Sequence, residues 1–308
     1  MKTFYSHGKL LLTGEYLVLD GAMALAIPTK KGQYLKVLEE KKGSLLSWTS
    51  KTEKGEIWFS AKFSMATLEP LENIKTTEPK KIAQTLSKIL KAARQLNINF
   101  LEKSKGIAVT TILEFPRNWG LGSSSTLIYN IAQWAKVNAF ELLKQSFGGS
   151  GYDIAAASSQ TPVLYQRTAS QPKVQPVSFH PKFSGHLYFI HLNQKMDSKE
   201  AIKHYRTLSK TELASHIAKI NKFTENILIT ENIANFEKIL NDHELLLSKI
   251  LKIPTVKSDL FPGYPYSVKS LGGWGGDFVM VTIRDKSDLD YFRQKGYQTI
   301  IPYRQMVL

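Results

Sequence analysis

The chain has 308 residues and no cysteine, which excludes disulfides, thiolate metal sites and cysteine nucleophiles. A long apolar run is also missing near the N-terminus, where the run Leu10–Leu12 is short and Gly14 and Glu15 soon interrupt it. A run this short predicts neither a signal peptide nor a membrane-spanning helix. We therefore expect a cytoplasmic protein without a membrane partner.

Acidic residues are scarce relative to basic ones, with 26 Asp and Glu against 41 Lys and Arg and a formal net charge of +15. Such an excess favours anionic partners: nucleic acids, acidic lipids or phosphorylated small molecules. The lysines are scattered, however, and form only short doublets such as Lys30-Lys31. No recognition helix, zinc finger or aromatic RNA-binding platform is recognisable. We expect mainly solvated basic faces and keep nucleic-acid binding as a minor alternative.

Three familiar site patterns are also missing from the sequence. The seven histidines show no His-x-x-x-His or similar metal spacing. No Gly-x-Ser-x-Gly sequence occurs, which argues against an α/β-hydrolase. No Gly-Lys-Ser/Thr follows Gly120 and Gly122, so the glycine turn there is not a Walker A loop.

The pattern of apolar residues predicts an α+β protein of two domains. Strands are predicted at 34–38, 45–48 and 57–63 as a β-meander, and a helix is predicted over 82–93. A polar, proline-containing stretch at 167–181 is typical of a connection between domains. Beyond it, two long helices (213–227 and 233–250) and strands near 187–192, 267–271 and 278–283 follow.

The most informative stretch joins a predicted strand, Ile107–Phe115, to a predicted helix through Gly120, Gly122 and Ser123–Ser125. Glycines let the backbone pass close to a ligand, and the N–H groups of a first helical turn point outward. Phosphate is the natural occupant of such an anion site, and the serine hydroxyls could ligate Mg²⁺. Taken alone, an ordinary serine cap after a glycine turn explains the stretch equally well.

Two further glycine clusters, 147–151 and 272–276, occur later in the chain. Convergence of all three clusters on one polyanionic ligand explains them economically. Asp153 is either a carboxylate that stabilises the start of a helix or a buried, positioned acid. Lys9 is either a solvated strand end or a cation that meets Asp153 or a phosphate.

Together the clusters resemble the motifs of the GHMP kinase superfamily (galactokinase, homoserine kinase, mevalonate and phosphomevalonate kinases). The first motif is similar to Gly8–Gly21 and the ATP-phosphate motif to Pro116–Ser124. The aspartate motif is similar to Gly149–Asp153 and the third glycine motif to Lys269–Asp277. Their order and spacing agree over essentially the whole chain, and the details look most like the phosphomevalonate and mevalonate kinase branch.

The resemblance implies a mixed-sheet, ATP-binding N-terminal domain at 1–170 and a ferredoxin-like C-terminal domain at 180–308. It implies catalytic roles for Lys9 and Asp153, and Mg²⁺ ligation by Ser124, with Glu141 as a weaker candidate for the second ligand. The implied ATP-binding residues are Gly120, Leu121, Gly122, Ser123, Ser124, Ser125, Gly273, Gly275 and Gly276.

The implied reaction is transfer of the γ-phosphoryl group from ATP to a small anionic acceptor, by a monomer or homodimer. Mevalonate 5-phosphate is the leading acceptor, ahead of mevalonate and other GHMP kinase substrates. One of two departures from the family's motifs, Trp274, leaves open an alternative, a protein that binds ATP or a metabolite without catalysis. Ser6-His7 replaces the usual Ala-Pro before Gly8-Lys9, and Trp274 replaces a glycine of the third motif.

Overall fold

A computed structural model of the chain describes residues 1–40, 43–71, 76–102, 105–194, 198–207, 209, 211–273 and 276–308. These residues form two compact units, each made of segments that are not consecutive in the sequence. The first unit contains 1–8, 31–117 and 122–158, and the second contains 9–30, 118–121 and 159–308. The predicted domain bounds, 1–170 and 180–308, stay a prediction. Within the described ranges, every helix is too short or too polar to cross a membrane.

Strands and helices are numbered here in chain order. The strands are β1 (Lys2–Thr13), β2 (Ala24–Glu39), β3 (Leu45–Lys51), β4 (Ile57–Ser64), β5 (Ile107–Leu113), β6 (Val163–Gln166), β7 (Lys173–Pro176), β8 (Leu187–His191), β9 (Val268–Leu271), β10 (Phe278–Thr282) and β11 (Ile300–Pro302). The helices are α1 (Thr77–Leu96), α2 (Ser123–Ala135), α3 (Ala139–Ser146), α4 (Tyr152–Ala157), α5 (Ser198–Thr207), α6 (Leu213–Ile229), α7 (Ile233–Leu251), α8 (Val256–Leu260), α9 (Asp290–Gln294) and α10 (Tyr303–Met306).

The first unit is built on a mixed sheet. Strand β3 pairs antiparallel with β4 and parallel with β5, and β5 pairs antiparallel with the second half of β2, Gln33–Glu39. The predicted β-meander is therefore wrong in its order, because β5 lies between β2 and β3. Buried residues alternate along β5, so one face of this strand packs into the core. The turns between β2, β3 and β4 give no sign in the sequence that a distant strand is inserted between β2 and β3.

Helix α1 closes one side of the first unit's core. Its buried residues recur at spacings of three and four, as on an amphipathic helix, and include Ala83, Leu86, Leu90 and Ala93. They belong to the same apolar cluster as Trp48 of β3. The predicted helix over 82–93 is confirmed and extends further at both ends.

The second unit contains a four-stranded antiparallel sheet in the order β11-β8-β10-β9. Helices α5 to α8 precede β9 and α9 precedes β11, so the connectivity is that of a ferredoxin-like domain. Strands β8 and β10 lie in the middle of this sheet and are buried along their whole length. The α+β class, with a mixed sheet and a second, antiparallel sheet, is confirmed.

Candidate functional site

The glycine turn before α2 has the left-handed backbone that only glycine adopts easily. Gly120 has a φ of +63° and Gly122 a φ of +86°. Gly122 is the N-cap of α2 and, within the described residues, no side chain caps this helix. Ser123, Ser124 and Ser125 form its first turn, with Ser124 exposed. The ordinary serine cap is therefore excluded, and the N–H groups at this helix start are not occupied by a capping side chain.

Buried polar contacts fix α2 on the sheet of the first unit. The Thr126 hydroxyl donates to Gln33 Oε1 at 2.7 Å, and Asn130 Nδ2 donates to the Gln33 carbonyl at 2.9 Å. The Ser6 hydroxyl donates to the Thr126 carbonyl at 2.9 Å. Because these groups are buried and paired, they hold the start of α2 in one position relative to β1 and β2.

Asp153 lies in the first turn of α4, which packs against α2. Gly151, with a φ of +95°, is the N-cap of α4. Ala155 and the two alanines after it are buried, so α4 approaches its neighbour closely, while Asp153 itself is only half-buried. The first unit therefore brings the helix that carries Asp153 beside the helix that begins with the serines.

Lys9 belongs to the second unit and is held against the Gly120 turn. Its backbone N–H donates to the Leu121 carbonyl at 3.0 Å, and its Nζ donates to the Gly120 carbonyl at 3.3 Å. Only 8% of Lys9 is exposed. The alternative of a solvated strand end is therefore excluded.

A small hollow in the second unit is lined by residues from three of the four motifs. Its lining consists of Lys9, Leu10, Leu11, Trp119, Gly120, Leu271, Gly272, Asp277 and Phe278. The Trp119 ring meets the Phe278 ring edge-on at 5.4 Å between centroids. Residues around Gly120 and Gly272 therefore lie together within this unit, while convergence of all three clusters on one ligand stays a prediction.

The third glycine cluster is described only in part. Gly273 and Gly276 are both buried, and Gly276 N–H donates to the Gly273 carbonyl at 3.1 Å. Trp274 and Gly275 lie outside the described residues. The ATP-binding roles predicted for these glycines stay predictions.

Glu141 lies in the first turn of α3 and is exposed. Its backbone N–H donates to Asn138 Oδ1 at 3.2 Å. In the described ranges no group of three or more His, Asp or Glu residues could hold a metal ion. Mg²⁺ commonly takes only one or two protein ligands together with substrate phosphates, so an exposed Ser124 hydroxyl at a helix start fits that chemistry. Ser124 and Glu141 as ligands stay predictions.

A buried ionic cluster is the main feature that sequence reasoning missed. Lys269 Nζ is bonded to Glu15 Oε1 and lies 3.0 Å from Glu244 Oε1. His243 Nε2 lies 3.4 Å from Glu15 Oε2 and accepts the Gly14 N–H at 3.2 Å. Glu15 and Lys269 were visible as members of the first and third motifs, whereas His243 and Glu244 lie on α7 without a motif of their own.

Burial dominates the protonation of this cluster. It raises the pKa of Glu15 to about 7 and raises that of Glu244, although Lys269 opposes both shifts. Burial and Lys269 hold the pKa of His243 well below its usual range, so this imidazole is neutral. Burial alone would lower the pKa of Lys269. The nearby carboxylates of Glu15 and Glu244 outweigh this effect, so the pKa of Lys269 is raised. The carboxyl group of Glu15 therefore gains or loses its proton near neutral pH.

This cluster predicts a pH-dependent difference in stability between the wild type and Glu15→Gln. The pKa of Glu15 is about 7 in the folded chain and about 4.3 in an unfolded one, so only the folded state holds this proton between those values. The wild type should lose stability relative to Glu15→Gln as the pH rises from about 5 to about 8. Thermal unfolding at several pH values measures this, with Glu53→Gln in an exposed turn as control. Parallel curves for wild type and Glu15→Gln would contradict the prediction.

No protein-family model and no curated protein sequence matches the chain. Solved structures, however, match its fold over nearly the whole length. Methanococcus jannaschii mevalonate kinase is 16% identical with a TM-score of 0.66, covering 97% of this chain and 96% of its own. Lactococcus lactis galactokinase, complexed with galactose, is 13% identical with a TM-score of 0.69, covering 98% and 93%.

Streptococcus pneumoniae phosphomevalonate kinase, in complex with phosphomevalonate and AMPPNP, is 15% identical with a TM-score of 0.66. The match covers 97% of this chain and 99% of that one. These three proteins all belong to one superfamily. The mixed sheet, the ferredoxin-like second sheet and these matches agree, and the chain has the fold of the GHMP kinase superfamily.

Proposed function

We propose that this chain is a kinase that transfers the γ-phosphoryl group of ATP to a small anionic metabolite. The main support is the hollow at Gly120, which is lined by residues of the first motif, the ATP-phosphate motif and the third glycine motif. The fold of known metabolite kinases and the excess of basic residues agree with this function. Phosphoryl transfer needs alignment and neutralisation of charge more than covalent help from the protein.

The ATP phosphates would bind at the start of α2. Its first-turn N–H groups have no capping side chain in the described residues, and the positive end of the helix dipole favours an anion. The predicted set from Gly120 to Ser125 would supply these donors, with Gly273, Gly275 and Gly276 of the third motif. Ser124, with Glu141 as the second candidate ligand, would hold Mg²⁺, which would supply positive charge to the phosphate oxygens.

Lys9 and Asp153 would act on the acceptor side. Lys9 brings a positive charge to the rim of the Gly120 turn, where it can balance the charge of an anionic acceptor. Asp153 has a role that depends on the acceptor. A hydroxyl must lose its proton, and a positioned carboxylate acting as base contributes roughly 10²–10⁴-fold. A phosphate monoester has a second pKa of about 6 and is already largely ionised near neutral pH. Asp153 would then mainly orient the charged groups on the acceptor side.

Mevalonate 5-phosphate is the acceptor we favour, which would place the chain in isoprenoid precursor synthesis. The complex of the Streptococcus pneumoniae neighbour with phosphomevalonate supports an anionic acceptor of this kind. Mevalonate is the second choice, and other GHMP kinase substrates follow. The galactose complex of the Lactococcus lactis neighbour shows that the same fold also serves a neutral sugar. We propose domain bounds of 1–170 and 180–308 and a monomer or homodimer.

A coupled ADP-release assay with mevalonate, mevalonate 5-phosphate, homoserine and galactose tests the proposed function. We expect turnover with ATP and Mg²⁺, fastest with mevalonate 5-phosphate. Turnover with a different acceptor of the four would keep the kinase and change its substrate. Binding of the ATP analogue AMPPNP without any turnover would favour the alternative of a non-catalytic nucleotide-binding protein.

Asp153→Asn should nearly abolish transfer to a hydroxyl acceptor and impair transfer to a phosphate acceptor less, because only the hydroxyl needs a base. Steady-state kinetics with mevalonate and mevalonate 5-phosphate measure the difference. Asp259→Asn is a matched control, since Asp259 is also an acid in the first turn of a short helix but is exposed on α8. Equal and complete loss with both acceptors would contradict the distinction.

Ser124→Ala should raise the Mg²⁺ concentration needed for half-maximal activity, because it removes a hydroxyl that we place on the metal. Magnesium titrations at fixed ATP measure this, with Ser123→Ala as the comparison from the same helical turn. A magnesium requirement that is unchanged in Ser124→Ala would remove Ser124 from the metal site.

A further inference from the structure

Asp277 occupies a backbone conformation that favours glycine. Its φ is +55°, in the left-handed region that most side chains avoid. It follows Gly276 directly, and only 8% of it is exposed. A residue with a strained backbone and a buried carboxylate must be stabilised by its surroundings. This cost indicates that the Asp277 side chain has a structural or functional role.

The carboxylate of Asp277 packs against the α-carbon of Gly120. A β-carbon placed on Gly120 would lie 2.2 Å from both Cγ and Oδ2 of Asp277. A β-carbon on Gly272 would lie 2.9 Å from the same Oδ2. Both distances are shorter than non-bonded carbon and oxygen atoms tolerate. Two glycines from separate segments therefore leave the space that this carboxylate fills.

Hydrogen bonds fix the main chain of Asp277 and the carbonyl group of Gly120. Leu192 N–H donates to the Asp277 carbonyl at 2.8 Å, and Asp277 N–H donates to the Gln194 carbonyl at 3.1 Å. Lys9 Nζ donates to the Gly120 carbonyl at 3.3 Å. Gly120 therefore has an ammonium group on its carbonyl oxygen and a carboxylate against its α-carbon.

We propose that Asp277 is a positioning residue that holds the Gly120 turn in its left-handed conformation before a nucleotide binds. Gly120 is then glycine because of the carboxylate beside it, and not only because a phosphate must approach. A turn that is already ordered loses less conformational freedom on binding, so Asp277 lowers the Kd for nucleotide. The part played in nucleotide binding rests on the proposed function, whereas the contact between Asp277 and Gly120 does not.

A double-mutant cycle with Gly120→Ala and Asp277→Ala tests the contact without any ligand. Gly296→Ala is the matched control, because Gly296 has a φ of +90° but a β-carbon there would meet nothing within 4 Å. We expect Gly120→Ala to lower the unfolding temperature more than Gly296→Ala does. Adding Asp277→Ala should restore part of that loss, with a coupling of about tenfold in the folding equilibrium. Additive effects of the two substitutions would overturn the contact.

Calorimetric titration with AMPPNP and Mg²⁺, together with steady-state kinetics, tests the positioning role. We expect Asp277→Ala to raise the nucleotide Kd about tenfold and to change kcat at saturating ATP much less. Asp277→Asn keeps the shape of the side chain and should bind nucleotide nearly as tightly as the wild type. Loss of affinity in Asp277→Asn equal to that in Asp277→Ala would overturn positioning by packing. A raised Mg²⁺ requirement in both variants would do the same, because Asp277 would then be a metal ligand.

The two possible failures are distinguishable. A wild-type protein that binds no AMPPNP contradicts the proposed function, and the nucleotide role of Asp277 falls with it, whatever the stability cycle shows. A wild-type protein that binds AMPPNP, but whose affinity is unchanged in Asp277→Ala, overturns only the role of Asp277.

Discussion

The bare α-carbon of Gly120 is the constraint on which the candidate site in the second unit depends. Any side chain there would collide with the Asp277 carboxylate, whose nearest atoms lie 2.2 Å from where a β-carbon would be. The same residue accepts a hydrogen bond from Lys9 through its carbonyl. Segments that are far apart in the sequence therefore meet at one residue without a side chain. Three residues later the chain begins α2, whose first-turn N–H groups are the proposed phosphate site.

A buried ionic cluster ties the surrounding segments together. Lys269 of β9 bonds to Glu15, after β1, and to Glu244 of α7, and all three are almost fully buried. Burying these charges is costly, so such a cluster contributes little net stability while all three members are present. Removing one partner leaves an uncompensated buried charge and costs far more. The cluster thus links β9 and α7 to Glu15, and of these elements β9 lines the hollow, together with β1.

The sequence was most informative where the physics is local. Glycine turns, the periodicity of α1 and the apolar strands β8 and β10 follow from spacing alone, and the α+β class with its ferredoxin-like sheet is confirmed. Long-range pairing left no such signal, so β5 was not expected between β2 and β3. The packing of Asp277 on Gly120 was equally hidden, because a glycine required by a distant carboxylate looks the same in a sequence as one required by a ligand.

Amide hydrogen exchange with and without AMPPNP and Mg²⁺ tests whether the nucleotide phosphates bind at the Gly120 turn, because it locates the nucleotide by the backbone that it protects. We expect slower exchange in 118–126, in 8–12 and in 268–273, with little change in exposed strands such as β7. Protection confined to other segments, or no protection at any nucleotide concentration, would contradict a phosphate site at the Gly120 turn.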